Sequence, residues 1–421
     1  MSDKTTPEND GAEKNRPEAE GSEAVERQSY RVPVLNAVIA ILLAVILTAI
    51  ACMTVFFRVF VKESDDDDFL KKVRQLDAIY RSKFVGELDY DKITDALLYA
   101  YIAATDRYGY YLNADDYAET MNGLENNGVG FGIYVSERED GIEIQLVMQN
   151  TPAERAGLQA GDVIYRVNDA VFADMTYDDF LAACKGKAGD RATLYYLRGG
   201  ETHSVELTYE NYRIQTIVSR ELGNGVGYIY ITNFEQDTPN EFKAAIETLK
   251  SAGCDRFVFD VRNNPGGLLD SVTDILDYIM GEGVIVTVVD SEGETVHTIT
   301  SDDFDAIEGM PCAVVINYGS ASAAELFSCA LRDSKGAILV GETSFGKGTM
   351  QHIYSLGDGT GIGVTTNYYN PPVSPNFDGV GLTPDIMVGL SKEAAGYTVM
   401  LRPYELDTQL QAAVGAITKA D

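Results

Sequence analysis

A serine in a run of small residues and, 25 positions later, a lysine between two glycines are the parts of a hydrolase that works without histidine. The serine is Ser322, in Gly319-Ser320-Ala321-Ser322-Ala323-Ala324-Glu325, and the lysine is Lys347, in Phe345-Gly346-Lys347-Gly348-Thr349. A lysine serves as a general base only if burial lowers its pKa from about 10.4 toward neutrality, and flanking glycines let backbone pack closely around it. Gln351, four positions on, shares a face with Lys347 in either a strand or a helix, so its amide could orient the amine. Ser322 lies at the start of a helix predicted after the apolar run Cys312-Ala-Val-Val-Ile-Asn317. There the unpaired N–H groups, Ala323 first, can receive developing negative charge. A second N–H could come from the Gly266-Gly267 turn that ends Asp260-Val261-Arg262-Asn263-Asn264-Pro265, completing an oxyanion hole. The plain alternative is that Ser320 or Ser322 only caps the helix, and that the two glycines only make a turn.

Rival chemistries use the same residues less well. Gly341 to Lys347 fits the first seven positions of a phosphate-binding loop, but Gly348 stands where the magnesium-holding hydroxyl belongs. A Ser-His pair with His352 would put the imidazole on the face away from Lys347. Three histidines and five scattered cysteines, with no CxxC pair, give neither a metal site nor a disulfide framework. The cysteines read as buried small side chains. No cofactor is called for. A net charge of −32 repels phosphate backbones and argues against a nucleic-acid role.

The elements that must position these groups follow from the pattern along the chain. Residues 1–33 are polar and predicted disordered, an acidic tail. Val34 to Phe57 is an uncharged run of 24 residues, long enough for one transmembrane helix. Lysines and arginines are balanced across it, so charge does not orient it. Residues 58–122 show helical spacing. From 123 to 210, short alternating runs with glycine turns predict a β-rich domain able to hold a carboxylate on exposed backbone N–H groups. Strands and helices alternate over 211–392, predicting an α/β core with a parallel portion. Residues 393–421 form a helical extension.

Two sets of residues carry a resemblance. Gly128-Val129-Gly130-Phe131-Gly132-Ile133, with Ala156-Gly157-Leu158 and Gly161-Asp162-Val163-Ile164, resembles a PDZ domain, which implies a C-terminal peptide ligand held at Gly128 to Ile133. The order of membrane segment, helices, PDZ, DVRNNPGG, NYGSASAAE and GETSFGKGTMQ resembles the carboxyl-terminal processing peptidases, also called tail-specific proteases. The resemblance covers roughly residues 75 to 415. It implies Ser322 as nucleophile rather than Ser320, Lys347 as base, Gln351 as supporting amide, and Ala323 with Gly266-Gly267 as the oxyanion hole. It implies a multidomain α/β protein: a crotonase-like protease core, a PDZ domain, N-terminal helices and one transmembrane helix. Departures are Ala324 in place of a common serine, Lys185 where an arginine is common, and the stretch NYYNPPVSPNFDGVGLTPD.

The function expected is that of a membrane-anchored serine endopeptidase of the Ser/Lys type acting on polypeptides with an accessible C-terminus. The family places the catalytic domain outside the cytoplasm on a single-pass membrane protein. The alternative is an inert adaptor whose PDZ domain binds C-terminal tails. The helices near 69–122 and the terminal helix offer surfaces for a homo-oligomer.

Overall fold

The computed structural model describes residues 67–418, in two units that divide at Leu88/Asp89. The first contributes the helix Asp67–Lys83, whose charged residues run along its whole length. One expectation is corrected at this level. Among the described residues no helix is long and apolar enough to cross a membrane; that helix of 17 residues carries at least one charged side chain in every turn. The run Val34 to Phe57 on which the expected transmembrane helix rested lies outside the described residues, as does the tail before it. The fold class is therefore a mixed α/β protein with a PDZ domain.

In the second unit a six-stranded sheet runs in chain order: Ile217–Glu221, Val226–Ile231, Arg256–Asp260, Cys312–Ile316, Ile338–Gly341 and Ile386–Met387. The first pair is antiparallel and the rest parallel. Parallel neighbours need helical crossovers, and these cover a face. The helices Thr238–Ser251, Leu269–Met280 and Ala323–Lys335 pack with Phe257, Phe259, Val314 and Ile316 on one side. Val258, Ala313 and Val315 point to the other, where Leu410, Ala413 and Ile417 of the helix Thr408–Thr418 cover them. Burial on both faces is why these strands read as unbroken apolar runs.

The docking of that last helix is polar at its first turn. Arg262, 1% exposed, pairs with Asp260 and, through Nη1 and Nη2, with Asp407 at 2.9 and 2.8 Å. Gln409 also accepts from Arg262, and the Tyr228 hydroxyl donates to Asp260. The charges are buried but hydrogen-bonded on all sides, which is the condition for tolerating them.

A second, antiparallel sheet is built on the long strand Gly361–Asn370, which pairs with Tyr110–Leu112, Thr349–Ser355 and Gly283–Val289; Thr295–Ser301 adds to the last. The PDZ sheet is a separate antiparallel set in the order Ile133–Arg138, Gly141–Val147, Val163–Val167, Arg191–Arg198 and Glu201–Thr208. Both ends of that module enter through one two-stranded ribbon, Asn127–Gly130 with Glu210–Arg213.

Candidate active site

The strand Cys312–Ile316 turns into the helix Ala323–Lys335 through a tightly bonded loop. Asn317 Oδ1 accepts from the N–H groups of Asn263 and Gly319. Ser320 is fully buried, its Oγ donating to the Val261 carbonyl at 2.7 Å and accepting from Asn317 N–H. These bonds make Ser320 a structural residue. Ser322 is half-buried and lines the cleft. Its backbone sits at φ 56°, ψ −119°, a region that costs a non-glycine residue about 1–3 kcal/mol and is held only where the surroundings dictate it.

One carboxylate does much of the dictating. Glu325, fully buried, accepts from Ser322 N–H at 2.9 Å and Lys347 N–H at 2.8 Å on one oxygen, and from Gly346 N–H at 2.8 Å and the Ser344 hydroxyl on the other. Burial pushes its pKa up, against the hydrogen bonds from Ser344, Lys347, Gly346 and Ser322. With four donors on four acceptor positions, the ionised form is the one that fits. Sequence reasoning did not assign Glu325 a role, although Ser322-Ala-Ala-Glu325 has the spacing of a helix-capping box.

Burial lowers the pKa of Lys347, while Asp106 and Glu325 pull it back up. Its Nζ lies 5.5 Å from the centre of the Tyr108 ring. The Tyr108 hydroxyl donates to the Gly346 carbonyl at 3.1 Å, and the Tyr369 hydroxyl to the Lys347 carbonyl at 2.8 Å. Gln351 shares the cleft with Lys347, but its amide donates to Thr349 and Thr365 hydroxyls. Thr365 in turn donates to Asp106 through both N–H and hydroxyl. Gln351 is thus the inner end of a polar chain reaching Asp106. Asp106 and Tyr108, more than 200 positions before Ser322 and Lys347, carried no signal in the sequence.

The glycine turn reaches Ser322. A Cβ on Gly266 would lie 2.8 Å from Ser322 Cβ and 3.0 Å from Ala323 N, so only glycine fits. Its N–H donates to Asn264 Oδ1 at 2.8 Å. Among the described residues, the N–H groups of Gly267 and Ala323 have no acceptor. Of the two glycines expected to serve an oxyanion, Gly267 has the available donor and Gly266 supplies the close approach.

A cleft of about 810 Å³ brings together Gly267, Ser322, Ala323, Lys347 and Gln351, with Leu268, Leu326 and Met350 among its apolar walls. Among the described residues no cluster of His, Cys, Asp and Glu could hold a metal ion. The six PDZ residues divide. Gly128, Val129 and Gly130 lie in the entry ribbon, with Tyr212 against both glycines. Phe131 and Gly132 form the bend, Phe131 stacking on Tyr209 with ring centres 4.3 Å apart and Gly132 at φ 76°. Ile133 opens the strand at the sheet edge, and the edge beyond it is available for strand addition.

Comparison with known proteins adds the family. Peptidase family S41 matches residues 225–388, and the PDZ domain matches 129–208. The protease core thus matches peptidase family S41. The S41 match contains Gly266, Gly267, Ser322, Glu325, Lys347 and Gln351. A Staphylococcus aureus protein named "Probable CtpA-like serine protease" is 29% identical over 354 residues, 84% of this chain and 71% of that protein. The Arabidopsis thaliana protein named "Carboxyl-terminal-processing peptidase 2, chloroplastic" is 36% identical over 271 residues, 61% of this chain and 52% of that protein. The crystal structure of a Bacteroides fragilis protein assigned to the S41 proteases covers 80% of this chain and 93% of its own, with a TM-score of 0.54 and 15% identity, a likeness of fold. The chain is a serine-type peptidase with a PDZ domain, and the resemblance to carboxyl-terminal processing peptidases holds.

Proposed function

We propose that this S41 peptidase takes the C-terminal end of a polypeptide at the PDZ domain and cleaves the chain in the cleft with Ser322 as nucleophile and Lys347 as general base. Neutral Lys347 accepts the Ser322 proton as Oγ attacks the peptide carbonyl. The tetrahedral oxyanion is received by the N–H groups of Ala323 and Gly267. The amine leaves with a proton, and water then hydrolyses the acyl-enzyme. The observation that carries this reading is the shared carboxylate: Glu325 binds the backbone N–H of Ser322 and of Lys347, so nucleophile and base are set from one point in a cleft where burial lowers the lysine pKa.

The test is cleavage of an unstructured protein by the purified full-length chain. Ser322→Ala and Lys347→Ala are each expected to reduce turnover by at least about 1,000-fold, in line with removal of a catalytic nucleophile or its base. Turnover by Lys347→Ala at the unsubstituted rate would sink the Ser/Lys mechanism, and an uncut substrate with every variant, including the unsubstituted chain, would favour a binding role only.

A further inference from the structure

We infer that Tyr369 and Tyr108 are positioning residues for the dyad: Tyr369 holds the Ser322 hydroxyl and the Lys347 carbonyl together, and Tyr108 fixes the adjoining Gly346 carbonyl beneath the lysine side chain. This rests on the Ser322–Lys347 reading above.

Tyr369 lies in the strand Gly361–Asn370, is 3% exposed and packs edge-on against Phe377. Its oxygen is 2.8 Å from the Lys347 carbonyl oxygen and 3.4 Å from Ser322 Oγ. A phenol has one proton, and a carbonyl can only accept, so that proton belongs to the Lys347 bond. The oxygen then faces Ser322 with a lone pair, and the serine hydroxyl is the donor. At 3.4 Å this contact is longer than the usual O–H···O bond of about 2.7–2.8 Å. It is strong enough to bias the serine rotamer and too weak to compete with a base. Burial pushes the phenol pKa well up, so Tyr369 stays neutral and does not take the proton itself.

Tyr108 comes from the segment after the helix Tyr90–Thr105. Its hydroxyl holds the Gly346 carbonyl while its ring faces Lys347 Nζ. Two successive residues of the base loop are therefore bound on both sides: their N–H groups by Glu325, the Lys347 carbonyl by the Tyr369 phenol, and the Gly346 carbonyl by the Tyr108 phenol together with Gly379 N–H at 2.9 Å. A lysine with four flexible side-chain bonds gains a fixed origin this way, and reaction rates respond steeply to small displacements of a reacting group.

The experiment uses full-length Tyr369→Phe and Tyr108→Phe, each removing one hydroxyl and keeping the ring. Readouts are kcat and KM on an unstructured protein, the rate of Ser322 modification by a fluorophosphonate, and the melting temperature. For Tyr369→Phe, kcat and the modification rate are expected to fall together by about 10- to 100-fold, with KM within about twofold and melting changed by a few degrees at most. Tyr108→Phe is expected to fall in the same pattern by less. Unchanged modification rates in both, or a change confined to KM, overturns the inference. If Tyr369→Phe does not fold, the part-exposed Tyr108 decides by the same two outcomes. If the unsubstituted chain is not modified at Ser322, or does not need Lys347, the Ser/Lys reading fails and this inference with it; if both hold and the tyrosine variants match the unsubstituted chain, this inference alone fails.

Discussion

At the scale of single residues, the proposed Ser322–Lys347 mechanism has the site trade stability for chemistry at Lys347. Burial lowers its folded pKa, so between that value and about 10.4 the unfolded chain binds a proton the folded one does not, and stability rises with pH across this window. Lys347→Met is expected to be inactive and more stable, with a stability gain that is largest below the folded pKa and shrinks as pH approaches about 10.4; urea titrations at several pH values measure it, and a gain independent of pH counts against burial as the cause. The acid limb of kcat/KM reports the same group. Asp106 pulls the Lys347 pKa up, so Asp106→Asn is expected to move that limb to lower pH, and a shift to higher pH contradicts the assignment. Ser322 and Lys347 could be singled out as candidates in the sequence by small residues at a predicted strand-to-helix turn and a glycine-flanked lysine, and the family resemblance chose Ser322 over Ser320. Tyr108, Asp106 and Tyr369 have no such local signal, since their roles exist only once strands distant in sequence have paired.

At the scale of elements, the decisive contact is between the Asn263–Gly267 turn and the start of the helix Ala323–Lys335. The turn was legible as a turn; which of its glycines keeps a free N–H was not, because that depends on where the Asn264 side chain bonds. Gly266→Ala places a Cβ against Ser322 Cβ at 2.8 Å, and at φ 109° it also strains the backbone by about 1–3 kcal/mol. Its kcat is expected to drop by about 100-fold or more with PDZ binding of a C-terminal peptide intact, measured by turnover beside fluorescence anisotropy. Activity near the parent level would show that the helix start can retreat. The PDZ stretch teaches the same limit: glycines at 128 and 130 announce a special backbone, but not that they make room for Tyr212 in a ribbon while the bend falls at Phe131-Gly132.

At the scale of the whole molecule, the alternation of strand and helix revealed the layered α/β core, and the glycine-rich alternation revealed the PDZ module. The charged junction beneath the core stayed hidden, because Arg262 and Asp407 are 145 positions apart. Removing one partner of such a buried pair strands the other, at a cost of about 3–5 kcal/mol; Asp407→Ala is expected to lose stability on that order by urea unfolding, and a loss under about 1 kcal/mol would mean the pair is effectively solvated. Arg262 directly precedes the Asn263–Gly267 turn, so that turn leans on Asp407, a residue translated 145 positions later. A ribosome has therefore translated Ser322, Lys347 and both glycines well before the arginine finds its partners. A released chain truncated after residue 403, which lacks Asp407 and Gln409, is expected to resist fluorophosphonate labelling at Ser322 while the 421-residue chain is labelled, so the site is completed only once those partners are present; equal labelling of the two refutes it.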